Sequence, residues 1–205
     1  MKLSVAYNFD KPLLSGLSQI PEVYEIYGKM TKDIIGGGRS SYTLRHITKD
    51  TIRRTVQEAH LKNIEFNYLL NGAFLNGMEQ TRSGQKKIRS FLNFLDKSEV
   101  DSITVASPYL LRLIKKQYPG FKVRISVFSL VNTVEKAKRW RDMGADTICI
   151  SGISLNRNFK MLSNIRKAVG CDLQLIPNAS CLPDCVYELA HMNMLALSSR
   201  IKDKT

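Results

Sequence analysis

The segment DSITVASPYLLRLIKKQYPGFKVRISVF, residues 101–128, decides the fold class. A short run rich in β-branched residues (102–107) passes through a polar turn into an amphipathic helical pattern (108–118). The chain then returns to a second β-branched run (122–128). The same cadence extends in both directions. Further strand patterns lie at 2–7, 22–28, 63–71, 146–152 and 172–178, and helical patterns lie near 49–62, 83–97, 131–143, 158–169 and 183–198. In the helix at 131–143, Val131, Val134, Ala137 and Met143 share one face, Thr133 suits the N-cap, and Gly144 suits the end.

Units of about 20–30 residues that alternate strand and helix require parallel strands joined by crossover helices. No glycine fingerprint of a dinucleotide fold follows the first strand, so the expectation is a TIM-like (β/α) barrel. A closed barrel of this kind has eight strands. Seven are found, so the barrel is expected to be incomplete: open, closed by a partner chain or second copy, or shortened. The expected organisation is a single α/β domain over 1–199 with a polar tail over 200–205.

With 205 residues, 43% of them hydrophobic, the chain can build one well-packed domain. No apolar run reaches the roughly 18 residues of a membrane span. The start MKLSVAYNFD reads as a first strand rather than a signal peptide, and a cytoplasmic location is expected. In that reducing setting the four cysteines read as free, ligating or catalytic. The net charge of +13 and pI near 9.7 favour an anionic partner, RNA or a small phosphorylated or carboxylated substrate. The same basic residues also read as ordinary solvated helix faces.

In barrels of this type chemistry sits past the C-terminal ends of the strands. Asn71, Asn132, Asn156, Arg157 and Asn178 are therefore expected around one mouth, where asparagine can both donate and accept hydrogen bonds. Asn and Gly also end strands for turn reasons alone. The run GGGRSS (36–41) offers backbone amides and Arg39 to an anion, without being a Walker loop. Cys149 sits within a strand and reads as packing. Cys171 precedes the seventh strand and so lies roughly 20 Å from Cys181 at about 3.3 Å per residue. Cys181 and Cys185 remain as candidate metal ligands, at a helix N-terminus if that helix starts near Pro183. Two thiols are half of a four-ligand site. His191 lies about 12 Å further along the helix and reads as a helix-face or partner contact. No Ser-His-Asp order and no His-Glu-x-x-His motif is present.

The stretches DIIGGGRSSY, IEFNYLLNGAFLNGMEQTRSGQ and 100–185, including NASCLPDC, with His191 beyond, resemble the peptidase U32 family from about residue 2 to 199. The resemblance implies a TIM-like barrel and one of two activities: collagenase-like proteolysis, or oxygen-independent hydroxylation of small substrates or RNA linked to prephenate. It further implies a [4Fe–4S] cluster on four cysteines, of which Cys181 and Cys185 match two. This chain departs from the pattern at Phe74, where the subgroup carries a cysteine, and at Val186 and Glu188, where Pro and Arg are usual. The cluster's ligand set is thus incomplete in this chain, and a partner would supply the rest. Three functions are carried forward: an iron–sulfur hydroxylase of an anionic or RNA substrate that needs a partner chain, a U32-type peptidase, and a non-catalytic binding or partner subunit. No catalytic residue is assigned. Arg39, Asn71, Asn132, Arg157, Asn178 and His191 are the expected substrate contacts.

Overall fold

The computed structural model describes residues 1–38, 45–179, 181–182 and 185–200. Strand and helix alternate as expected: β1 (Leu3–Ala6), α1 (Lys11–Leu17), β2 (Val23–Gly28), α2 (Lys49–His60), β3 (Glu65–Leu70), α3 (Arg82–Asp96), β4 (Ser102–Val105), α4 (Pro108–Gln117) and β5 (Lys122–Ile125). After these come α5 (Val134–Asp142), β6 (Thr147–Cys149), α6 (Gly152–Leu155), α7 (Phe159–Ala168), β7 (Asp172–Gln174) and α8 (Glu188–Ser198). All seven strands pair in chain order, each parallel to the next, with β1 and β7 at the two edges. One cavity is lined at once by Ser4 of β1, Thr104 of β4 and Gln174 of β7, so the sheet curls round it. The architecture is an incomplete TIM-like barrel.

The period-2 alternation of the strands divides the two sheet faces cleanly. Ile26, Phe66, Leu70, Ile103, Val105, Val123, Ile125 and Ile148 face outward and are fully buried. Ile52 and Val56 of α2, Ile88 and Leu92 of α3, and Leu110, Leu111 and Ile114 of α4 are buried against them in one continuous core. The inward positions at the lower level are Ser4, Glu25, Asn67, Ser102, Thr104 and Arg124, with Ala6, Tyr27, Leu69 and Cys149 facing the cavity above them. A (β/α) barrel ordinarily fills these positions with branched apolar side chains. Here the lower-level groups form a hydrogen-bonded network. Arg124 grips Glu25 with both terminal nitrogens, at 2.5 and 2.9 Å. Ser4 and Ser102 donate to the same carboxylate at 2.5 and 3.0 Å. Asn67 then donates to Ser102 at 2.6 Å and accepts from Thr104 at 2.7 Å. The register of β1 and β2 shifts at this level, with Leu3 opposite Val23 and Ser4 opposite Glu25. Tyr24 is left without a partner on β1, and its hydroxyl accepts from Arg124 at 2.9 Å.

Three local expectations are corrected. A helix, α1, occupies 11–17, where no helical pattern had been assigned. It is short and starts with Pro12 in its first turn. The helix expected from 131 starts at Val134, because Val131 forms a parallel bridge with Ile150. Thr133 does cap it, accepting from the Lys136 amide at 3.2 Å, and Gly144 follows it at φ +100°. The last helix begins at Glu188, not near Pro183, which lies outside the described residues. The Cys185 carbonyl accepts from the Glu188 amide in the turn before α8, so Cys185 precedes the helix. At the far end Arg200, where the polar tail was expected to begin, is buried, bridges Asp33 and donates to the Ile35 carbonyl at 2.9 Å.

Glu25→Ala would leave Arg124 charged and unpaired inside the barrel, a change that typically costs about 3–5 kcal/mol. Urea unfolding should show that loss. The double change Glu25→Leu with Arg124→Met should recover most of it, since removing both charges removes the uncompensated one.

Candidate functional site

Above the Glu25–Arg124 layer the inside of the barrel holds a cavity of about 360 Å³. Polar groups of its lining are Ser4, Thr104 and Arg124 below and Asn71, Ser126, Gln174 and Asn178 at the rim, set among apolar side chains that include Tyr27, Leu69, Phe128, Leu175 and Ile176. The volume is within the about 300–1,000 Å³ of small-ligand sites. Each rim group is positioned by the strand it follows. Asn71, one residue past β3, donates to the Ser126 hydroxyl at 3.1 Å. Ser126, one residue past β5, accepts in addition from the Phe128 amide at 3.1 Å. The Asn71 carbonyl oxygen accepts from the Gly38 amide at 3.0 Å. The side-chain amides of Gln174 and Asn178 make no hydrogen bond with other described residues and present their donors and acceptors at the cavity. Burial pushes the Cys149 thiol up to about 11, with the Arg124 charge pulling the other way.

The glycine run is built into the wall rather than left open. The Gly36, Gly37 and Gly38 amides donate to Asp33, Ser199 and Asn71 at 2.6, 2.9 and 3.0 Å. The expected anion nest at this loop is therefore corrected: all three amides are spent inside the fold. Each glycine is required by a different neighbour. A Cβ on Gly36 would lie 2.0 Å from the Ala196 carbonyl of α8. One on Gly37 would lie 2.6 Å from Asn71, and one on Gly38 2.3 Å from the Phe128 ring. Gly36 also holds φ +76°, where side chains are disfavoured. Asp33 organises the loop. Its carboxylate accepts from the Ile35 and Gly36 amides and the Tyr68 hydroxyl, and pairs with the Lys29 ammonium at 3.2 Å. Lys29 and Asp33 are 1% and 0% exposed, so this pair anchors the loop and offers no amine to a ligand.

A second cavity, of about 440 Å³, adjoins the first across Leu175 and Pro177, which line both. It is bordered by Ser154, Asn156, Arg157 and Cys181. The single mouth expected from the asparagines is thus divided. Asn71 and Asn178 share the barrel cavity, while Asn156, Arg157 and Cys181 share the outer one. Asn156 also ties the dividing segment, donating to the Ile176 carbonyl at 2.7 Å. Asn132 lines neither cavity and accepts from Lys136 at 3.1 Å. Cys185 is half-buried, and His191 is exposed on α8; both lie outside the two linings. Arg39 lies outside the described residues. The residues that sequence reading missed are Thr104, Arg124, Ser126 and Gln174. Their signal was present: each is a polar side chain at an inward position of an otherwise β-branched or apolar run.

Residues 29–181 match the family model described as Peptidase family U32. The chain belongs to peptidase family U32. It is 29% identical over 175 residues to an "uncharacterized protease" of Methanocaldococcus jannaschii, covering 85% of this chain and 51% of that protein. The chain therefore spans about half the length of this curated relative. A solved U32 peptidase superposes with a TM-score of 0.81 at 22% identity, over 97% of this chain and 77% of that one. An aldolase from Escherichia coli K12 superposes at 0.58 with 13% identity, over 94% and 72%. At such identities these structures speak for the barrel fold. Among the described residues no helix is long and apolar enough to cross a membrane.

The cluster that the U32 resemblance implies was tested against the donors present. Cys181 is exposed and Cys185 half-buried. Phe74, at the position of a third thiol, is an exposed hydrocarbon. Among the described residues no three His, Cys, Asp or Glu side chains come together as a metal site. A four-thiolate cluster does not fit this chain by itself.

Two outcomes follow for this U32 chain. Brief iodoacetamide treatment at neutral pH should alkylate Cys181 and leave Cys149 intact until the protein is unfolded, as peptide mass mapping would show. A thiol raised to about 11 stays protonated below that pH, and only the thiolate attacks. Gly36→Ala should cost more than about 1 kcal/mol and speed amide exchange through α8, because a methyl there collides with the helix backbone.

Proposed function

We propose that this chain is the ligand-binding barrel of a U32 protein, and that its ligand is a short stretch of polypeptide held in the barrel cavity. The observation that carries this is a small set of polar side chains converging on a largely apolar cavity, as in ligand sites generally. Thr104, Ser126, Gln174 and Asn178 surround a cavity of ligand size. The two side-chain amides among them stand ready for the donors and acceptors of peptide bonds. The names of the curated relative, an uncharacterized protease, and of the solved U32 peptidase point to the same ligand class. Neither cavity is lined by a histidine, and Cys149 is held as a thiol, so the reading assigns binding to this chain. Bond cleavage would use groups from a further segment or partner that completes the barrel between β1 and β7.

A second reading is hydroxylation of an anionic or RNA substrate. Cys181 and Arg157 on one cavity, together with the +13 charge, favour it. It needs a partner polypeptide to supply two further cluster ligands. Protein purified and reconstituted without oxygen that carries no iron would remove it.

Calorimetric titration with tri-alanine tests the first reading. Saturable one-to-one binding is expected, weakened about thirtyfold by Gln174→Leu combined with Asn178→Leu, which removes two hydrogen-bonding groups worth about 1 kcal/mol each. An absence of binding, or binding indifferent to these changes, would discard the peptide reading.

A further inference from the structure

The last helix carries a surface that the ligand cavity does not use. Met192 and Ala196 face inward, where Ala196 sits on Gly36 and Gly72. The opposite side of the helix is Tyr187, Ala190, Met194 and Leu197, and all four are exposed, the three large ones at 73%, 63% and 44%. Their spacing of three, four and three residues is the seam spacing of paired helices. Tyr187 already has helical backbone angles, so the stripe runs unbroken for three turns. A solvent-facing helix normally carries charge on its outer face. This one does not. Leu182, Val186 and Leu189 add exposed apolar surface beside it.

Charge distribution identifies the occupant. The protein carries 31 lysines and arginines, yet residues 168–199 contain none. Any two copies at net +13 repel one another across most of their surfaces. The α8 face is apolar and free of positive charge, so two copies can meet there without bringing their basic helices together. A stripe used by both partners must be self-complementary. Antiparallel pairing sets Tyr187 against Leu197 and Ala190 against Met194, the small alanine receiving the long thioether side chain. We propose that this chain forms a two-fold symmetric homodimer through the solvent face of α8. The dimer does not depend on what the barrel cavity binds.

Sedimentation equilibrium of the 205-residue chain tests this. Twice the 23.3 kDa chain mass is expected. Met194→Glu with Leu197→Glu should weaken association at least about tenfold, with an unchanged circular dichroism spectrum. Leu61→Glu, at a still more exposed leucine just past α2, should leave the dimer as it was. Raising the salt should hold or strengthen the dimer, since it screens the repulsion between two positive chains. A wild-type monomer overturns the proposal, as would a face covered by another segment in a longer protein. A dimer unmoved by the α8 changes, or one that dissociates in high salt, overturns it equally.

Discussion

The ion pair between Glu25 and Arg124 joins strands that are not neighbours. β2 and β5 are separated in the sheet by β3 and β4, and the pair closes that distance across the inside of the curl. An unpaired charge here would be expensive, so both groups hold their geometry tightly and hold the strands with them. The hydroxyls of Ser4, Ser102 and Tyr24 complete the shell. This layer is the floor on which the ligand cavity rests. It also explains why the lower level of the barrel interior is polar, while the cavity above it is lined largely by apolar groups such as Tyr27, Leu69 and Leu175.

Above that floor a second buried carboxylate, Asp33, sets the rim. It gathers the glycine loop, Lys29 and Tyr68, and the backbone on either side of it receives the end of the chain through Ser199 and Arg200. The loop after β2 and the helix after β7 are thereby locked together over the mouth. Three consecutive glycines are the steric consequence, since α8, Asn71 and Phe128 each approach the loop too closely for a methyl group. A run that resembles a flexible anion loop is in fact a packed joint. The same joint turns one side of α8 inward and leaves its other apolar side at the surface.

Membership of peptidase family U32 rests on the match over residues 29–181, and the fold on the superposition with a solved U32 peptidase. The functional reading rests on the site. The cavity has the size and hydrogen-bonding character of a binding site, while the thiols associated with the family pattern lie outside it, around a separate hollow or ahead of α8. Binding groups and candidate reactive groups are thus spatially divided by the segment 175–177, which Asn156 pins in place.

The sequence alone determined the architecture. Seven β-branched runs alternating with amphipathic helices admit little besides a parallel barrel lacking one strand, because short-range periodicity dictates which face each element buries. It also placed Asn71, Asn178 and Cys181 at the functional end, since strand direction orders the loops. Which of these residues meet was decided only by tertiary structure. The curl of the sheet brings Asn71 and Asn178 into one cavity, whereas the segment 175–177 puts Arg157 and Cys181 in another. Asn132 lines neither and accepts from Lys136 on the neighbouring helix. The ion pair of Glu25 and Arg124 spans 99 positions, and the contact of Gly37 with Ser199 spans 162. Periodicity carries information over one or two turns of chain, so pairings at such separations become visible only when the strands are curled and α8 is docked.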